Sequence, residues 1–171
     1  MKPTLYAALA ICAVSFVLLV GSSADVRARP NEKAAAEDDA TTAQLEREKQ
    51  FKEALTNVTL EGLWRLVKDG KLGDEQGEKY TISSVTKLGK LWFITARIEY
   101  GNKDVTVPVP VRVNWAGDTP VISITEAGLK GLGTYSARVM IYGGLYTGTW
   151  SGKGYGGFLS GRIVKNAKSS K

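Results

Sequence analysis

Residues 105–115 read VTVPVPVRVNW, and every second position in this stretch carries a large apolar side chain. The apolar positions are Val105, Val107, Val109, Val111, Val113 and Trp115. Because successive side chains of a β-strand point to opposite faces of the sheet, this alternation is typical of a strand with one buried face. The stretch therefore predicts a β-sheet that covers a core on one side.

The same alternation extends through most of residues 58–165, with glycine-rich breaks between the apolar runs. We predict strands at 58–69, 78–87, 91–100, 104–115, 120–126, 134–142, 145–151 and 157–165. Short gaps between successive strands are typical of antiparallel hairpins. We therefore expect an all-β fold, an antiparallel up-and-down meander of about eight strands that forms a barrel or a partly open barrel. A short N-terminal helix precedes it.

Hairpin turns provide a test of which side chains share a face. Two-residue turns at 117–118 and 143–144 place side chains of one face opposite each other. The predicted pairs are Val113 with Ile122, Val111 with Ile124, Ile141 with Tyr146, Val139 with Gly148 and Ala137 with Trp150. A turn at 101–102 likewise brings the alternating apolar side chains of 92–100 against the valine face. All three turns agree with a single buried face.

The gap at 88–90 does not fit a two-residue turn, because such a turn would mix the two faces. A three-residue loop with a glycine bulge instead pairs Ile82 with Ala96 and Tyr80 with Ile98. We predict one extra residue in this loop.

Two prolines interrupt the hydrogen-bonding capacity of the predicted strand 104–115. Pro108 and Pro110 have no N–H to donate, which normally confines proline to an edge strand or to a bulge. The sheet is therefore predicted either to be open at this strand or to bulge there at a barrel seam.

The N-terminal region has a different composition from the rest of the chain. Lys2, an apolar run and the small residues Ser22-Ser23-Ala24 predict a signal peptide at 1–24, with an uncleaved membrane anchor as the alternative. Residues 25–56 read as an acidic tether followed by a short helix that begins at Thr41. This helix docks on the domain, plugs one end of it, or forms only transiently. The β domain is predicted at 57–166 and a basic tail at 167–171.

Composition excludes several classes of enzyme. The chain has no histidine, and its single cysteine, Cys12, lies in the predicted signal peptide. Ser-His-Asp and Cys-His catalysis and the usual zinc sites are therefore excluded. The predictions are that the protein is not an enzyme, has no catalytic residues and uses no cofactor or metal. Acidic residues between 69 and 78 fit no EF-hand, although their predicted loop could hold calcium weakly.

Large aromatic side chains fall on the predicted inner face. The candidate ligand-lining residues are Trp64, Trp92, Tyr100, Trp115, Tyr135 and Trp150. Aromatic rings provide stacking area, and indole and phenol groups add a few hydrogen bonds. The alternative is that these rings simply fill a core.

Gly62-Leu63-Trp64 opens the first strand, and Gly148-Thr149-Trp150 repeats its spacing. A Gly-x-Trp on the first strand of an up-and-down series resembles the calycins, the lipocalin and avidin type of small exported β-barrel. The resemblance implies binding of a small, largely apolar molecule inside the barrel, and an Arg162 side chain that stacks on Trp64.

The sequence therefore predicts a secreted or periplasmic, non-catalytic binding module for an unidentified small apolar molecule. The alternative is a structural or interaction protein of the cell envelope with a solid core. Its basic outer sheet face, with Lys87, Arg97, Arg112 and Arg138, would then contact an envelope protein or an anionic glycan; the net charge of the chain is +6. No nucleic-acid partner is expected, and the only expected membrane contact is an uncleaved signal segment.

Overall fold

The computed structural model describes the backbone of residues 30–167 and the side chains of residues 33–167 except that of Tyr100. The predicted signal peptide at 1–24 lies outside the described residues, as do all but the first residue of the predicted basic tail. The described residues from Asp38 onwards form one compact unit. Within the described residues, no helix is both long and apolar enough to cross a membrane.

In the part of the chain that the structure describes, one helix precedes nine strands. The elements are α1 (Pro30–Leu55), β1 (Val58–Lys68), β2 (Lys71–Leu72), β3 (Gln76–Leu88), β4 (Leu91–Tyr100), β5 (Lys103–Ala116), β6 (Thr119–Leu129), β7 (Gly133–Tyr142), β8 (Leu145–Gly152) and β9 (Tyr155–Lys165). All eight predicted strands are present, and the two-residue strand β2 is additional.

The strands form a closed antiparallel barrel. Each long strand pairs with the next one along the chain, and β1 also pairs with β9 from Val58↔Lys165 to Val67↔Gly156. Strand β2 pairs only with the end of β1. The structure thus confirms the all-β prediction, and the barrel is an eight-stranded up-and-down barrel with one short extra strand.

The predicted inner face is the buried face. Trp92 lies opposite Val111, and the two side chains are 4% and 2% exposed. The remaining buried apolar side chains of the barrel come from the same alternating positions. Because eight strands enclose an interior just wide enough for side chains, this face forms a continuous core.

The three two-residue turns at 101–102, 117–118 and 143–144 are confirmed. The pairs Val113↔Ile122, Ile141↔Tyr146, Val139↔Gly148 and Ala137↔Trp150 are present as predicted. The β5–β6 ladder ends at Arg112↔Ser123, one residue short of the predicted pairing of Val111 with Ile124.

The extra residue between β3 and β4 is present but lies elsewhere than predicted. Ile82 pairs with Ala96 and Tyr80 with Ile98, as predicted. The turn itself has two residues, 89–90, and the register shifts at Ser83 instead. The predicted three-residue loop is therefore wrong. A bulge inside β3 supplies the extra residue that keeps the apolar side chains of β3 and β4 on one face.

The part of β5 that carries the two prolines is unpaired toward β6, as the predicted open edge requires, and no register shift interrupts the ladders of β5. Pro108 and Pro110 pair with Thr95 and Phe93 of β4. On the β6 side, the ladder in the described structure covers only Arg112–Ala116, so both prolines lie outside it. A register shift in β6, between Ile124 and Ala127, lies in its ladder with β7. Proline is accommodated because this part of β5 needs no donors toward β6.

Helix α1 begins at Pro30 rather than at Thr41 and is 26 residues long. Proline suits the first position of a helix, and Ala34-Ala35-Ala36 are strong helix formers, so the acidic composition of this segment does not prevent helix formation. Phe51 and Leu55, near its C-terminus, are 3% and 0% exposed. Of the three predicted arrangements, the helix docks at one end of the barrel.

Candidate functional site

The predicted ligand-lining residues do not form one site. Trp92 and Trp115 lie at the barrel end formed by the turns at 89–90, 117–118 and 143–144, which we call the helix end. Trp64, Tyr135 and Trp150 lie together at the opposite end, which we call the indole end. Tyr100 is the last residue of β4, at the indole end by its place in the strand.

The helix end is covered by α1. The Phe51 ring packs edge-on against Trp92 and Trp115, with ring centroids 5.1 and 6.2 Å apart. The Arg47 guanidinium lies over the Trp115 ring, 5.9 Å from its centroid. An open groove of about 250 Å³ remains beside Phe51 and Trp115. The two tryptophans at this end therefore serve mainly as core that receives the helix.

Four aromatic rings form a connected cluster at the indole end, and we call them the indole cluster: Trp64, Tyr135, Trp150 and Tyr155. Trp64 and Trp150 pack edge to face at 5.6 Å, and Trp150 meets Tyr155 in the same way at 5.7 Å. The hydroxyl groups of Tyr135 and Tyr155 are 3.1 Å apart and share a hydrogen bond. The rings provide a large aromatic surface beside polar groups.

Two hydrogen-bond donors of this cluster are left without acceptors. The indole nitrogens Nε1 of Trp64 and Trp150 are buried and have no hydrogen-bond partner among the described residues. An unsatisfied buried donor costs about 1–3 kcal/mol, so most buried indole groups are paired. Two unpaired indoles in contact with each other mark this end as the place where an external acceptor would be stabilised.

A groove of about 470 Å³ opens to solvent on the outer face of the barrel at Trp150, the one residue of the indole cluster that lines it. Trp150 forms part of its lining, between Ala137 and Gly157 on the neighbouring strands. Serine, threonine and arginine side chains of β7 and β8 complete it. Its size falls within the range of small-molecule sites.

A buried carboxylate lies further inside the barrel than the indole cluster. Glu78 of β3 is 7% exposed. Its Oε2 accepts a hydrogen bond from the Tyr80 hydroxyl at 2.6 Å, and its Oε1 accepts one from the Tyr146 hydroxyl at 2.9 Å. No Lys or Arg among the described residues lies within 4.0 Å of the carboxylate, so both of its partners are neutral.

Glycines make the room that this arrangement needs. Tyr146 projects across Gly62 and Gly161, which face each other on β1 and β9. A Cβ atom at Gly62 would lie 2.3 Å from the Tyr146 hydroxyl oxygen, and one at Gly161 would lie 2.7 Å from the Tyr146 ring. The absence of side chains there lets the phenol reach Glu78.

Glu78 is the residue of this candidate site that the sequence analysis does not include. It was grouped with the acidic residues of a predicted loop, but β3 begins at Gln76 and Glu78 is inside the barrel. Its spacing in the sequence could have identified it, because Glu78, Tyr80 and Ile82 occupy alternate positions and therefore point to the same, buried face. The weak calcium site is wrong, since among the described residues no three acidic side chains are placed to hold a metal ion.

Burial raises the pKa of the Glu78 carboxyl above its ordinary value of 4.5, and the hydrogen bonds from Tyr80 and Tyr146 oppose this rise. A carboxyl with a raised pKa in the folded state contributes stability below its unfolded pKa and loses it as pH rises through the folded pKa. Burial and the nearby Glu78 in turn raise the pKa of Tyr146.

We therefore predict that the stability of the wild-type protein relative to Glu78→Gln falls as pH rises from about 4 to 8. Glutamine does not ionise, so it removes this pH dependence while keeping nearly the same shape. Urea unfolding of both proteins across this range measures the difference. Parallel pH profiles would contradict a raised pKa at Glu78.

Three of the four cations of the predicted basic outer face are held by neighbouring groups, and two of these, Arg97 and Lys87, are paired with carboxylates. Arg97 makes a two-point contact with Asp104 at 2.7 and 2.6 Å, and Lys87 pairs with Glu48 of the helix. The Arg138 guanidinium donates to backbone oxygens of Ile124 and Ala137. These cations are thus held by the protein itself, which reduces their availability to an anionic partner.

The predicted stacking of Arg162 on Trp64 is wrong. Arg162 extends from the outer face of β9 and donates to the Glu61 carboxylate at 3.0 Å. Its side chain is 70% exposed, whereas Trp64 belongs to the inner face. Strand alternation separates the two residues, because Arg162 lies opposite Glu61, an odd number of positions from Trp64.

The indole end thus combines aromatic surface, two free donors and one buried carboxylate. This set supplies binding chemistry: apolar contact, hydrogen bonding and charge recognition. Comparisons with models of known protein families, with curated protein sequences and with solved protein structures gave no match to this chain.

Proposed function

We propose that the protein is an exported, non-catalytic binding module that holds a small, largely apolar molecule at the indole end of the barrel. The observation that carries the proposal is the pair of buried, unpartnered indole N–H groups of Trp64 and Trp150. The ligand carries a hydrogen-bond acceptor that both groups can reach. A secreted or periplasmic location follows from the signal peptide predicted at 1–24, with an N-terminal membrane anchor as the alternative.

The free energy of the unsatisfied donors supports a bound acceptor. Each buried N–H without a partner destabilises the free protein, and an acceptor on a ligand would remove that cost. The same acceptor would gain less at the helix end, because neither Trp92 nor Trp115 has a buried indole N–H without a partner. The two ends therefore differ in what they offer a ligand.

The architecture supports the same proposal. An eight-stranded up-and-down barrel with Gly62-x-Trp64 on its first strand resembles the calycin type. This resemblance implies a small apolar ligand inside the barrel. Here the indole cluster supplies the apolar contact area.

A second candidate is an interaction protein of the cell envelope that binds through its outer surface. Exposed apolar side chains favour it: Tyr142 and Leu145 flank one turn and are 72% and 59% exposed. Its predicted basic face has less support, since Arg97 and Lys87 are paired with carboxylates. The unpartnered indoles are not explained by this candidate.

The first test is titration with prodan, a neutral naphthalene that carries a ketone acceptor and fluoresces strongly in apolar sites. We expect saturable binding to the wild-type protein and a three- to tenfold (roughly) weaker affinity for Trp64→Phe and Trp150→Phe, since each change removes a single hydrogen bond but keeps an aromatic ring.

The matched control is Trp115→Phe, which makes the same chemical change at the helix end. It is expected to leave prodan affinity unchanged. If prodan does not bind, or if all three variants bind it equally well, the indole end is not the ligand site. Circular dichroism of each variant checks that the barrel remains folded.

A further inference from the structure

We propose that Glu78 is a recognition group of this same site and that the ligand carries a protonated amine, whose N–H groups are bound by the Glu78 carboxylate. This inference rests on the proposed function and adds the chemical class of the ligand. It assigns Glu78 as a contact to the ligand rather than as part of the core alone.

The partners of Glu78 are the first observation. Buried carboxylates are normally paired with a cation, because removing a charge from water is costly. Among the described side chains, two phenols donate to the Glu78 carboxylate, one to each oxygen. A carboxylate offers about four acceptor positions, so each oxygen of Glu78 keeps capacity for a further donor.

On the outer face of β1 and β4, the strands that flank β3, each of two carboxylates is paired with a cation. Glu61, next to Gly62 on β1, accepts from the Arg162 guanidinium at 3.0 Å. Glu99 of β4 has Lys79 at 3.4 Å. Glu78 faces inward between them without such a cation, and a ligand amine would supply the missing charge.

The register places Glu78 within reach of the indole cluster. Glu78 lies opposite Gly62, and Trp64 is the next residue of β1 on the same face. Diagonal neighbours of this kind are about 7–8 Å apart. A single small molecule can therefore contact the Trp64 indole and the carboxylate at once.

The rings of the indole cluster favour the same ligand class. Ammonium groups are attracted to the faces of tryptophan and tyrosine rings, and clusters of such rings recognise amine cations. The indole N–H groups bind an acceptor on the ligand, while the ring faces and Glu78 bind its cationic end. The site thus fits an apolar amine that also carries an oxygen acceptor.

Competition against bound prodan tests this inference with two probes of the same shape. The probes are 1-naphthylmethylamine, which is cationic at neutral pH, and 1-naphthylmethanol, which is neutral. We expect the amine to compete about tenfold better than the alcohol in the wild-type protein. In Glu78→Gln this preference is lost, while prodan affinity stays within about twofold.

Glu61→Gln is the matched control, because it removes an exposed carboxylate from the outer face of the neighbouring strand. It is expected to keep the preference for the amine. Should Glu78→Gln fail to fold, carbon-13 NMR of the wild-type Glu78 carboxyl gives a second readout: its resonance should shift with the amine and not with the alcohol.

The outcomes separate the two proposals. If prodan binds but the amine and the alcohol compete equally, or if Glu78→Gln keeps the preference, Glu78 is not a ligand contact and the binding module stands. If neither prodan nor the amine binds to the wild-type protein, both proposals fall.

Discussion

Phe51→Ala is expected to lower the free energy of unfolding by about 3–5 kcal/mol. The Phe51 ring is 3% exposed and packs edge-on against Trp92 and Trp115. Removal of the Phe51 ring leaves a cavity between the helix and the barrel. The Trp92 and Trp115 rings cannot move into this cavity, because strands β4 and β5 hold them in place. Urea unfolding followed by tryptophan fluorescence measures the loss.

Leu45→Ala provides the control on the same helix. Leu45 is 61% exposed, so its truncation should change the free energy of unfolding by less than about 0.5 kcal/mol. Equal stabilities for the two variants would show that α1 does not belong to the core in solution. A large loss for Phe51→Ala alone establishes the helix as the cover of the helix end.

The strands were predictable because the buried face is apolar at nearly every alternate position. Trp92 and Val111 illustrate this: each was assigned inward from its own strand, and the structure pairs them. Two-residue turns with glycine fixed the register between neighbours. Local pattern was sufficient here because each strand pairs with the next along the chain.

The position of the β3 bulge was not predicted, although the sequence contains its signal. Ile82 and Val85 are both buried but lie three positions apart, which breaks the alternation. An extra residue between them restores it, and the register shifts at Ser83 for this reason. The pairing of side chains gives the number of extra residues but not their place, since an extra residue at any position between 82 and 91 satisfies the same pairing.

Closure of the barrel and the composition of the site depend on contacts between distant parts of the chain. Strands β1 and β9 are almost a hundred positions apart, as in the pair Gly62↔Gly161, and no local pattern links them. The division of the tryptophans between two ends follows from this closure. Glu78 was missed for a different reason, because it follows Asp69, Asp74 and Glu75 closely and was assigned to the same acidic loop.

Gly62→Ala is expected to cost more than about 4 kcal/mol or to prevent folding. A Cβ atom at this position would lie 2.2 Å from the Ser160 carbonyl oxygen and 2.9 Å from the Gly161 Cα. Both atoms belong to the backbone of β9, so they cannot move without separating β1 from β9. Gly77→Ala, on the neighbouring strand, adds a methyl group where nothing lies within 4 Å, and should change stability by less than about 1 kcal/mol.

The same substitution links closure of the barrel to its proposed site. The third contact of a Cβ atom at Gly62 would be the Tyr146 hydroxyl, which donates to Glu78. Any folded Gly62→Ala protein must therefore displace this phenol and alter the surroundings of the carboxylate. Thermal unfolding and the recovery of folded protein measure the first effect, and the Glu78 carboxyl resonance measures the second. If Gly62→Ala were as stable as Gly77→Ala, the close approach of β1 to β9 would be wrong, and with it the position of Tyr146 over Glu78.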